Sequence, residues 1–208
     1  LMVNPTTFTA IFTPNAPSAP ATTTSCSIVV PAEAYNDLAG NSNDVDSNTI
    51  NWTYDPSSPT MTITGEGQTS SIAVTDGQTS KDQIITFTFT SSDTTTDFSV
   101  SNISVTNGAI SNFTSVAGSS GKEYQADFTT TTDGVCTVDI VGVFTDASGN
   151  ENASVPQFSW TYDGIPPSVS ISAGQGITHG SESNHNPLPL IITLSEPSPA
   201  FDVSEEHT

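Results

Sequence analysis

The chain has 208 residues, 22 acidic side chains against two lysines and no arginine, and a formal net charge of −20. Such a balance excludes a basic surface for nucleic acid or anionic membrane and favours solubility and divalent cations. Charged residues are still only 12% of the chain, and no run of apolar residues is long enough to insert into a membrane.

The opening Leu1-Met2-Val3-Asn4-Pro5 is neither a signal peptide nor a natural initiation site, so a longer or processed precursor is expected. An acidic chain rich in Ser and Thr could be disordered, but its apolar residues alternate in short runs. Pro14, Pro17 and Pro20 mark an extended turn after Phe12. Cys26, Ile28 and Val30 then share one face. Ile85, Phe87 and Phe89 alternate with Thr86, Thr88 and Thr90. Tyr124, Ala126 and Phe128 alternate with Gln125, Asp127 and Thr129. Cys136, Val138 and Ile140 alternate with Thr137 and Asp139. A period of two marks strands with one buried and one wet face. Asp-Gly, Asn-Gly and Gly-Ser pairs punctuate the runs, and no segment has a helical period. The reading is an all-β chain of sandwiches with about seven strands per unit.

The chain also repeats itself. Trp52-Thr53-Tyr54-Asp55 recurs as Trp160-Thr161-Tyr162-Asp163. The loop Asp37-Leu38-Ala39-Gly40-Asn41-Ser42-Asn43 recurs as Asp146-Ala147-Ser148-Gly149-Asn150-Glu151-Asn152. Pro59-Thr60-Met61-Thr62-Ile63-Thr64 recurs as Pro167-Ser168-Val169-Ser170-Ile171-Ser172. An offset of one domain's length makes these tandem units. Residues 1–55 read as the closing half of a unit, 56–163 as a complete unit, and 164–208 as the opening half of another.

These stretches resemble the bacterial immunoglobulin-like repeats of large surface adhesins. The likeness runs through Ile84–Thr90, Phe98–Gly108, Ile110–Phe113, Tyr124–Phe128, the Asp146 loop and the Tyr162-Asp163 linker with Pro166-Pro167. Ile191–Pro197 and Phe201–Ser204 fit the opening of such a repeat, and Phe8–Thr13 fits its closing half. The resemblance implies tandem immunoglobulin-like β-sandwiches, one complete and two half units, at the cell surface or outside the cell. A Cys in each repeat and the longer Pro14–Pro20 turn depart from the pattern.

Cys26 and Cys136 hold the same place in successive repeats. The Ile84–Thr90 strand offers no second Cys for an inter-sheet bridge, and matched places in neighbouring sandwiches lie beyond bridging distance. A buried free thiol is one reading, and a bridge to a partner chain is the other.

Asp146, Asn150 and Asn152 put oxygen ligands on a tight loop, with Asp163 at the following junction. The equivalent set is Asp37, Asn41, Asn43 and Asp55. Hard oxygen donors at a junction suit calcium, and the resemblance implies calcium near such linkers. The same residues also make an ordinary turn, with side chains bonded to the local backbone. Four sequons follow: Asn51-Trp52-Thr53, Asn102-Ile103-Ser104, Asn112-Phe113-Thr114 and Asn152-Ala153-Ser154. Asn152 cannot easily serve both as glycan carrier and as ligand.

No catalytic motif accompanies the many Ser and Asp residues. His179, His185 and His207 all lie in the last segment, without counterparts in the complete unit. Trp52 and Trp160 are expected at the ends of their last strands, beside the junctions. The expected function is a structural subunit of an extracellular, glycosylated filament or stalk. Its partners are copies of itself, joined head to tail by sandwich complementation. The alternative is a spacer of a calcium-stiffened adhesin. A carbohydrate-binding module would need an aromatic platform, and aromatics are only 8% of the chain.

Overall fold

The computed structural model describes residues 6–15 and 23–201. Asp202–Ser204, His207 and most of the Pro14–Pro20 turn lie outside these residues. The strands are β1 (Thr24–Ile28), β2 (Ile50–Tyr54), β3 (Met61–Gly67), β4 (Ala73–Val74), β5 (Thr79–Ser80) and β6 (Ile84–Ser91). They continue with β7 (Ile103–Thr106), β8 (Gly108–Ser115), β9 (Glu123–Thr130), β10 (Gly134–Ile140), β11 (Phe158–Tyr162), β12 (Val169–Ala173) and β13 (Leu190–Leu194). No α-helix occurs among the described residues.

Two sheets face each other across the central unit. One has the order β4-β3-β6-β9-β8, the other β5-β11-β10-β7. All pairings are antiparallel except β5 with β11. The long partners β3, β6 and β9 are held in register by alternation, because a slip of one residue would turn every phenylalanine outward. Ile85, Phe87, Phe89, Tyr124, Phe128 and Val138 are buried as expected. Ile140 is only half-buried at the end of β10, packed against this core.

Aromatic rings fill the space between the sheets. Phe87 lies 5.3 Å from both Phe158 and Trp160, and Phe128 meets Trp160 edge-on at 4.7 Å. Trp160 therefore sits in the core, not beside the junction. Alternation along β11 points Phe158 and Trp160 inward together, and the apolar area of an indole favours burial. Its Nε1 has no hydrogen-bond partner among the described residues. Gly108 starts β8 directly under the Phe128 ring, where any Cβ would collide with it.

The outer segments form two separate hairpins. β1 pairs with β2, placing Cys26 opposite Trp52, as Cys136 stands opposite Trp160. β12 pairs with β13, placing Ile171 opposite Ile192, as Ile63 stands opposite Phe89. Residues 8–13 form no ladder. Their counterpart in the central unit, β9, lies between β6 and β8, and neither flanking strand has an equivalent in the first segment. Both cysteines are buried free thiols, not bonded to each other.

Candidate functional site

The Asp146 loop is built by its own carboxylate. Oδ1 of Asp146 accepts from the backbone N–H groups of Ser148 (2.8 Å) and Asn150 (2.9 Å), and Oδ2 accepts from Asn150 Nδ2 (2.9 Å). Gly149 takes a positive φ of 88°, which this tight turn requires and glycine allows at little cost. Asn152 closes the loop by accepting from the Phe144 N–H through Oδ1 (2.9 Å). Burial pushes the Asp146 carboxyl upward, but its bonds with the Asn150 side chain and loop backbone outweigh this and hold its pKa below the ordinary value.

The loop also reaches the linker that enters the unit. Asn150 Nδ2 donates to the main-chain oxygen of Asp55 (2.9 Å), and Ser148 Oγ lies 3.5 Å from Asp55 Oδ2. Asp55 thus joins Asp146 and Asn150, although the repeat grouped it with Asp37 and Asn41. Asp163 is elsewhere: its N–H donates to Ser80 O (3.0 Å), and its Oδ1 accepts from Ile165 N–H (3.2 Å). The cause is topological. The loop between β10 and β11 lies at the end of the sandwich where the preceding linker enters, while Asp163 leaves from the opposite end of β11.

The Asp37 loop is a copy of the same device. Asp37 Oδ1 accepts from Ala39 N–H (2.9 Å) and Asn41 N–H (2.8 Å), and Oδ2 accepts from Asn41 Nδ2 (2.9 Å). The Asn41 side chain is the main reason the Asp37 carboxyl is held below its ordinary pKa.

Calcium takes six to eight oxygens at roughly 2.3–2.6 Å. Here both carboxylates are engaged by N–H donors of their own loops, and an amide nitrogen stands between Asp146 and Asp55. No group of three His, Cys, Asp or Glu side chains able to hold a metal occurs among the described residues. A cation would enter only after the Asn150 amide turned its oxygen inward. As folded, the donor set makes a closed turn and does not fit the ion.

The sequons divide by exposure. Asn51 is exposed on β2, on the face away from Trp52. Asn112 is exposed at a bulge of edge strand β8, with φ of 52° and Nδ2 donating to Asp127 Oδ2 (2.8 Å). Asn102 is buried, accepting from Ser99 N–H (3.0 Å) and donating from Nδ2 to Val143 O (3.3 Å). A glycan is carried on Nδ2, so the Asn102 expectation does not fit this geometry. Asn152 is half-buried with both amide ends bonded, Nδ2 to Ala153 O (3.0 Å).

The sandwich, its strand order and the linker loop agree with comparison to known families. The model of the bacterial Ig-like domain matches residues 56–162. The chain belongs to the bacterial Ig-like domain family. No curated protein and no solved structure matches it. The matched residues of this bacterial Ig-like chain include every side chain of the central core cluster. The sequence carried no signal for the Asp127 cluster, where Asn112 from β8, Thr86 from β6 and Gln68 from the turn after β3 converge.

Proposed function

We propose that the chain is a structural subunit of an extracellular, glycosylated filament or stalk, assembled head to tail by sandwich complementation. Residues 1–55 are the closing half of an Ig-like unit, 56–163 a complete unit, and 164–208 an opening half. One observation carries the reading: the outer hairpins expose the faces that the central unit buries. Ile28 is 44% exposed where Val138 is fully buried, and Leu190 is 59% exposed where Phe87 is fully buried. Exposed apolar faces on unpaired two-stranded hairpins are unstable in water. The closing and opening halves carry complementary strands, so in this reading the next copy covers both, whereas in an ordinary long tandem chain the adjoining stretches of the same chain would do so. The Ig-like family supports a surface role, and no described helix is long and apolar enough to cross a membrane. Asn51 and Asn112 are the sequons best placed for sugars.

The test is light scattering and electron microscopy of the intact chain over a range of concentrations. Concentration-dependent, head-to-tail polymers are expected. A monomer at every concentration overturns the reading.

A second reading is the spacer of a calcium-stiffened adhesin. The Asn150–Asp55 contact favours a spacer, because it ties the unit to its linker; a calcium ion there would have to turn the Asn150 amide and take the place of that contact. Calcium at millimolar levels would then raise the melting temperature, and Asp146→Asn would abolish the rise. An unchanged melting temperature overturns it.

A further inference from the structure

Both outer hairpins repeat the central unit at contacts specific enough to set a register. In the opening hairpin, Ser195 N–H donates to Ser168 O (2.9 Å), and Ser168 N–H donates to Ser195 Oγ (2.8 Å). The central unit has the same pair: Ser92 N–H to Thr60 O (2.9 Å), and Thr60 N–H to Ser92 Oγ (3.0 Å). Ser168 therefore stands for Thr60 and Ser195 for Ser92. Counting back along β13, Leu188, Leu190 and Ile192 stand for Ile85, Phe87 and Phe89.

The closing half has its own marker. Phe12 meets Trp52 edge-on, with centroids 4.8 Å apart and planes at 85°. Phe128 meets Trp160 at 4.7 Å and 76°. Phe12 thus stands for Phe128, and by alternation Ala10 and Phe8 stand for Ala126 and Tyr124. In the central ladder, Ile85 pairs with Phe128, Phe87 with Ala126, and Phe89 with Tyr124.

From these two equivalences we infer that a second copy seats its β12–β13 hairpin beside residues 8–13. Leu188 of one copy lies opposite Phe12 of the other, Leu190 opposite Ala10, and Ile192 opposite Phe8. In the same docking, Asn41 Nδ2 grips the main-chain oxygen of the partner subunit's Asp163, as Asn150 grips Asp55 within one chain. This site rests on the head-to-tail reading above and deepens it by naming the residues that meet.

Two independent elements enforce the register. A slip of one residue turns Leu188, Leu190 and Ile192 away from the core. A slip of two keeps the face but moves the linker about 7 Å along the strand, beyond the reach of Asn41. The Asn41 amide has one hydrogen on Asp37 Oδ2 and no second acceptor among the described residues. Its counterpart on Asn150 is the one bonded to Asp55. Phe8 and Ile11, 83% and 97% exposed, lie along the strand that would gain its ladder.

Cross-linking of whole chains tests the register. Thr9 stands for Gln125 and Ile191 for Thr88, a facing pair on the outer side of the sheet. Chains carrying Thr9→Cys are mixed with chains carrying Ile191→Cys under mild oxidation, each variant alone serving as control for the native thiols. A disulfide-linked heterodimer is expected, forming at least about ten-fold faster than with Thr193→Cys, which is displaced by two residues. Asn41→Ala is expected to weaken association about ten-fold, the worth of one good hydrogen bond. Association with equal or faster linking at Thr193→Cys, or association indifferent to Asn41→Ala, overturns the register while leaving head-to-tail assembly standing. Chains that never associate overturn both.

Discussion

Asn150 donates one amide hydrogen to Asp146 Oδ2 and the other to the main-chain oxygen of Asp55, 95 residues earlier. A single side chain thus closes its own turn and holds the linker entering the sandwich. Such a contact limits rotation at the junction, since the linker cannot swing without leaving a half-buried carbonyl unpaired. Asn150→Ala is expected to cost about 1–2 kcal/mol in urea unfolding. It should also raise amide exchange around Asp55 and Ser57. Unchanged exchange there would mean that the linker is held by other contacts.

Aromatic packing makes the central unit the stable part of the chain. Phe87 touches the rings of Phe89, Phe128, Phe158 and Trp160. Phe87→Ala is expected to cost about 3–5 kcal/mol by loss of transfer energy and creation of a cavity. Leu190→Ala, at the equivalent place in the exposed hairpin, should change the stability of a dilute, unassociated chain by less than about 0.5 kcal/mol. Equal effects at the two positions would show that the hairpin is covered even at high dilution.

Trp160 buries an indole N–H without a partner, which offsets part of what its area contributes. Trp160→Phe removes that orphan donor and leaves a small void. The two changes oppose each other, so a loss under about 1.5 kcal/mol is expected. Trp160→Ala should cost about 3–5 kcal/mol. Chemical denaturation of both variants checks the contrast.

Carboxylates determine the acid limit. Asp127 is held below its ordinary pKa by Asn112, then by Thr86 and Gln68, against partial burial. Asp82 is held down by the Ser70 hydroxyl and further bonds from the Ser70 and Thr69 backbone. With Asp146, these groups bind a proton more weakly folded than unfolded. Their stabilisation is present above the unfolded value of about 3.9 and is lost as pH falls through the folded values. Protonation also relieves the repulsion of a chain at −20, which acts in the opposite direction and is screened by salt. In about 0.5 M salt, the melting temperature should be flat near neutrality and fall below about pH 4. Asp82→Asn should make the fall shallower. A melting temperature that rises on acidification would show repulsion to be the larger effect.

The two thiols report on the two kinds of unit. Cys136 is sealed among Thr130, Asn107 and the core, whereas Cys26 lies on β1 opposite Trp52 in a two-stranded hairpin. In dilute chain, Cys26 should react with a thiol reagent well before Cys136, which waits for global unfolding. Protection of Cys26 as concentration rises would accompany assembly.

Period-two alternation was enough to identify the strands and the inward set of Ile85, Phe87, Phe89, Tyr124, Phe128 and Val138, because one buried face admits only one register. The repeat was equally legible: the hydrogen bonds of the Asp37 loop are those of the Asp146 loop, since an Asx turn is written in five consecutive residues. Contacts between distant segments were not legible. Sequence grouped Asp163 with Asp146, and the fold instead brought Asp55 to it, because which linker meets which loop depends on the end of the sandwich where a strand leaves. Asn102 read as a glycosylation sequon and is buried, its amide bonded across to Val143. Trp160 read as a junction residue and became the centre of the core. Local patterns follow from the geometry of a few neighbouring residues. Partners dozens of residues apart are chosen by how two sheets close on each other, and only the tertiary structure decides that.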